Sequence, residues 1–136
     1  MSGNNGGRTR FIEHDGHRML LLDFSGIRDH AAAMEAIAEA KTIVAAQPRR
    51  SLLTITYIKG AAYTPAITRA LQELAQHDSP YVKAAVVAGM SGLQRMAFTA
   101  ISLFSDRAFH VCGDLEDAKR WLAAKEDALM AAERKG

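Results

Sequence analysis

Residues 19–22 are four consecutive apolar positions, Met19, Leu20, Leu21 and Leu22, with no alternation. That pattern predicts a strand over 18–24 that is covered on both faces. A second short strand is predicted just before it, over 11–14. Asp15-Gly16 lies between the two, and this pair favours a two-residue hairpin turn because both positions need positive φ. Ser25-Gly26 breaks the pattern. Asp29 is then placed to cap a helix running to about residue 46, whose apolar stripe is Ala33, Ile37, Ala40 and Val44 at spacings of 4, 3 and 4. Pro48 stops it, since the residue before a proline is pushed out of the α region.

Residues 51–58 (SLLTITYI) are β-branched and aromatic, the composition of a strand. Thr64-Pro65 is a helix start, a capping hydroxyl followed by proline at the first helical position. Ile67, Leu71 and Leu74 supply the buried stripe of that helix, which ends at Asp78-Ser79-Pro80. Small apolar residues predict a strand over 84–88, and Gly89-Met90-Ser91-Gly92 turns into a helix over 93–104. A last strand follows over 108–112. Asp114 caps a final helix with Leu115, Ala118, Leu122 and Leu129 on its core face and Trp121 beside them. Alternating β and α units imply one α/β domain, a five-stranded mostly parallel sheet with four helices. The hairpin makes the first strand antiparallel. Residues 1–9, rich in Gly and Asn, read as a flexible tail, and 10–132 as the domain.

Composition narrows this picture only a little. A chain of 136 residues fits one domain. It has 49% hydrophobic and 24% charged residues, which argues against global disorder. A net charge of +2 lacks the basic excess of a nucleic-acid binder. The lone cysteine, Cys112, allows no internal disulfide and no cysteine zinc site; its apolar strand makes it a small buried residue. Residues 1–10 hold no apolar leader segment, and no apolar run approaches the ~20 residues of a membrane span, so the cytoplasm is the expected compartment.

In parallel sheets ligands bind beyond the carboxyl ends of the strands. Those ends deliver Ser25, Lys59, Tyr63, Thr64, Met90 and Ser91, with Arg95 close by in sequence. Helix N-termini at Thr64 and Ser91 present unpaired N–H groups, so this rim can hold an anion or a protein side chain. The plain alternative is capping alone. A hydrolase elbow, G-x-S-x-G, is broken by Leu93 at its fifth position, and neither His77 nor His110 has a spacing that makes it a catalytic base. His14 and His17 flank the Asp-Gly turn, where exposure explains them better than a metal, and no metal or other cofactor is expected. On the helix over 93–104, Gln94, Arg95, Thr99, Ser102 and Ser105 share one sector of about 140°, with Phe98 inside it and Ile101 at its edge. Phe98 and Ile101 therefore form a candidate patch for a homodimer contact or for docking another protein.

The element order, with the stretches MLLLDFSG (19–26), AQPRRSLLTIT (46–56), PYVKAAVVAGMSGLQRM (80–96) and DLEDAKRWL (114–122), resembles the SpoIIAA-like family of the STAS and SEC14-like superfamily over about residues 10–124. The resemblance implies a SpoIIAA-like STAS fold and a place among small bacterial proteins without a settled common function. STAS domains proper bind anti-sigma factors or sit in larger regulators, and switch through a phosphorylated Ser or Thr at the helix start after the third strand. Thr64 is the matching position and so the candidate phosphorylation site. The Asp-x-Ser-Gly signature is absent, and Lys59-Gly60-Ala61-Ala62-Tyr63 stands in its place. The expected function is a non-enzymatic cytoplasmic regulatory or interaction domain that binds a protein partner at the rim. The alternative is a carrier or sensor of a small apolar or anionic ligand, lipid-like or nucleotide-like. For that reading Tyr63, Met90 and Met96 are the expected pocket residues.

Overall fold

The computed structural model describes residues 7–62, 64–90 and 110–135. The strands are β1 (Thr9–His14), β2 (His17–Asp23), β3 (Leu52–Tyr57), β4 (Val82–Ala88) and β5 (His110–Cys112). The helices are α1 (His30–Ala45), α2 (Pro65–Asp78) and α3 (Leu115–Lys135), with a 3-10 turn over Ser79–Tyr81. Three α-helices thus stand among the described residues where four were expected; the expected helix over 93–104 lies outside them. The strand after it is described from His110. At the other end β1 begins at Thr9, ahead of the expected boundary. Arg8 is already anchored there, its N–H donating to Glu39 Oε1 at 3.2 Å.

The sheet order is β1-β2-β3-β4-β5. β1 pairs antiparallel with β2, and every later pair is parallel. The hairpin turn follows from its two residues: Asp15 has φ 50° and Gly16 φ 79°, both in the left-handed region where Asp and Gly are tolerated. Crossovers of one hand put α1 and α2 on the same face.

β2 shows why its apolar run does not alternate. Leu20 and Leu22 pack with Ala33, Ile37, Ala40 and Val44 of α1 and with Ile67 and Leu74 of α2. Met19 and Leu21 point the other way, into a second core with Leu53, Ile55, Val86 and the α3 residues Ala118, Leu122 and Ala123. All four β2 residues are essentially inaccessible. Fully burying each such side chain contributes about 1.5–3 kcal/mol. Cys112 is buried in the second core. Leu71 and Leu129, expected on buried stripes, are only half-buried. The Thr9 hydroxyl is buried and has no hydrogen-bond partner among the described residues. No helix among the described residues is long and apolar enough to cross a membrane.

Candidate functional site

Because β2 to β5 are parallel, their carboxyl ends meet at one edge, and main-chain hydrogen bonds carry the sheet pattern beyond the strands. Phe24 N–H donates to Tyr57 O at 2.8 Å, Gly26 N–H to Lys59 O at 2.9 Å and Ile58 N–H to Ala88 O at 3.0 Å. Ala62 N–H reaches back to Ile27 O at 2.7 Å. The loops after β2 and β3 and the end of β4 are therefore one braced rim. Gly89 lies at φ 89°, and a Cβ there would stand 2.8 Å from Lys59 N. Only glycine lets the β4 end approach the β3 end so closely.

Lys59 and Thr64 are exposed on this rim. Thr64 is the N-cap of α2, extended at φ −98° and ψ 160°, with Pro65 as the first helical residue. Its Oγ1 accepts from Ile67 N–H at 3.1 Å, satisfying one of the donors a helix start leaves open. Arg28 is exposed nearby, its Nη1 donating to Gly60 O at 3.5 Å. Asp29 uses both carboxylate oxygens on the α1 start, accepting from Ala31 and Ala32 N–H groups.

Ser25 is half-buried and engaged. Its Oγ donates to Asp23 Oδ1 at 2.6 Å, and its N–H to the same oxygen at 3.1 Å. Arg10 stands 3.6 Å from Asp23 Oδ2. Arg8 Nη1 donates to the carbonyls of Asp23 at 3.1 Å and Ser25 at 3.0 Å. Sequence reading missed this arginine cluster, although a signal existed. The Asp-Gly hairpin sets His14 opposite His17 and Thr9 opposite Leu22; one step further puts Arg8 against Asp23, and Arg10 on a diagonal to it.

Met90 is not at the rim surface: it is 8% exposed and belongs to the α1/α2 core. Tyr63, Ser91, Arg95, Met96, Phe98 and Ile101 lie outside the described residues. Below the rim, Phe24, Ile27, Ile37, Ile58, Ile67 and Leu71 help to line an apolar cavity of ≈ 20 Å³. One water needs roughly 10–15 Å³, so the space between the described residues is about one water in size.

The histidines are elsewhere. His77 sits at the far end of α2 from Thr64, its Nδ1 2.8 Å from Asp78 Oδ1. His110 stacks on Trp121, with ring centroids 4.2 Å apart and 5° between planes. His17 was expected to be exposed by its turn and is instead held at the opposite edge of the sheet. Its side chain is 14% exposed, with Nδ1 2.6 Å from Glu126 Oε1. Lys83 Nζ lies 2.5 Å from Glu126 Oε2, and Asp127 Oδ1 lies 3.4 Å from His17 Nε2. The Glu126 hydrogen bond, helped by the Asp127, Glu126 and Asp15 charges, raises the His17 pKa above its ordinary 6.5 against the opposing effect of burial. For Glu126 burial pushes the pKa up, but the hydrogen bonds and charges of His17 and Lys83 outweigh it and leave the carboxyl below 4.5. Among the described residues no group of three or more His, Cys, Asp or Glu is placed to hold a metal ion.

No protein-family model and no curated protein matches the chain. Among solved structures it is similar to an uncharacterized protein of the DUF3478 family with a SpoIIAA-like fold, from Shewanella loihica PV-4. The identity is 15% and the TM-score 0.64, over 84% of this chain and 91% of that one. The hairpin, the parallel strands after it and the helices between them agree with that likeness, and the chain has a SpoIIAA-like fold.

Proposed function

We propose that the chain is a non-enzymatic regulatory domain that docks a protein partner on the rim formed by the loops after β2 and β3 and the start of α2. The observation that carries this reading is the bracing of those loops by main-chain hydrogen bonds between Gly26 and Lys59 and between Ile27 and Ala62. A surface already held in place loses little entropy on binding. Its exposed cations, Lys59 and Arg28, lie beside the partial positive charge of the α2 N-terminus. A partner presenting carboxylates fits that field. The reactive-looking side chains are committed to the fold: Ser25 donates to Asp23, and Thr64 caps α2.

The test is a photo-crosslinker in place of Lys59, introduced into the protein in its own cells. One protein species should be captured from position 59 and not from the exposed position 133 on α3. The same adducts from both positions, or none from 59, would defeat the reading. An adduct of twice the chain mass would identify a second copy as the partner.

The second reading, a carrier of a small apolar ligand, starts from the apolar lining of the cavity under the rim, which would have to widen to admit more than about one water-sized group. Native mass spectrometry separates the two. A small-molecule mass retained by the wild type and lost in Ile67→Trp, which fills the cavity, supports the carrier.

A further inference from the structure

The C-terminal helix is anchored unevenly. Its buried apolar residues, Ala118, Leu122 and Ala123, end at 123, yet the helix continues to Lys135. Beyond that point Met130 is 46% exposed, and Leu129 is outside the second core cluster. Among the described residues, what ties this distal part to the sheet is Glu126, wedged between His17 of β2 and Lys83 of β4 with side chains 16%, 14% and 28% exposed, together with Asp127, whose Oδ1 lies 3.4 Å from His17 Nε2.

We propose that the His17–Glu126–Lys83 cluster is a proton-sensitive latch that holds residues 126–135 of α3 against the amino-terminal edge of the sheet. The groups facing His17 are Glu126 and Asp127 from α3, Asp15 from the hairpin turn and, through Glu126, Lys83 from β4. His14 is its partner across the hairpin. The surroundings of the ring are thus mainly anionic, and charged His17 is the species that binds them. Its pKa is raised by docking, so its contribution is complete below 6.5 and is lost as pH rises through the folded value. Glu126 is lowered, so its contribution is present above 4.5 and is lost as pH falls through its folded value. The latch is strongest between those limits. Above them Lys83 still pairs with Glu126, so the distal helix loosens without the domain unfolding.

Amide hydrogen exchange of residues 126–135, corrected for the intrinsic effect of pH, tests this. In the wild type, protection should fall by about threefold or more between about pH 6 and a pH about one unit above the His17 ring midpoint read by NMR. His17→Gln should abolish that fall, and Lys83→Met should enlarge it. Equal protection at both pH values, or an unchanged fall in His17→Gln, overturns the latch. If a variant fails to fold, NMR of the wild type decides alone. Signals of 126–135 must follow the midpoint of the His17 ring, and a ring that titrates without moving them overturns the proposal.

Discussion

A Cβ built on Gly89 would stand 2.8 Å from the main-chain nitrogen of Lys59, and the glycine holds φ 89°. The ends of β4 and β3 can close into one rim only because that atom is missing. Gly89→Ala must therefore strain φ and push two backbones apart. The positive φ alone costs about 1–2 kcal/mol and overpacking about 1–3 kcal/mol. Denaturant unfolding should show a loss of roughly 2–5 kcal/mol, and crosslinking from position 59 should weaken with it. A loss under ~1 kcal/mol would mean that the loops yield easily.

Thr64 supplies the hydroxyl that meets Ile67 N–H. Thr64→Ala should lower stability by about 1 kcal/mol, and Thr64→Ser should retain most of it. Thermal melts of the two variants check the cap independently of any partner.

Lys59→Glu reverses an exposed charge. The melting temperature should stay within error of the wild type, because surface substitutions usually change stability by less than ~0.5 kcal/mol. Partner capture should fall at low salt, where the charge is least screened. Full capture in this variant would take Lys59 out of the docking surface.

Glu126→Gln removes the carboxylate that holds both His17 and Lys83. The His17 pKa should drop towards 6.5, because the largest cause of its rise is gone. NMR titration of the ring reads this directly. Stability near neutral pH should fall by about 1–3 kcal/mol, since two partly buried cations lose their partner.

Thr9→Val puts a methyl group of similar shape in place of a buried hydroxyl that has no hydrogen-bond partner among the described residues. An unsatisfied buried polar group costs about 1–3 kcal/mol. The substitution should therefore stabilise the protein by about 1 kcal/mol, against the general trend of mutations, and calorimetry would show a higher melting temperature. A lower one would mean that Thr9 finds a partner in solution.

By itself the sequence determined the features whose causes lie within a few residues. Asp15-Gly16 specifies a tight turn because both residues tolerate positive φ. Thr64-Pro65 specifies a helix start because a side-chain oxygen and a fixed φ sit where they are needed. The apolar run over 19–22 already marks β2 as covered on both faces, and the order of such units makes the α/β architecture legible. The rim was legible in outline through the loops after β2 and β3, but not in its bracing. Met90, at the end of a strand, belongs to the core instead, because chain position does not say which way a side chain turns. Only the tertiary structure decided that His17 meets Glu126, 109 positions away. The same holds for the approach of Gly89 to Lys59. Neither pair carries a local signal: each contact exists because parallel pairing and the crossing of α3 over the sheet bring distant segments together, and a charge on a helix face looks solvated until the fold supplies its partner.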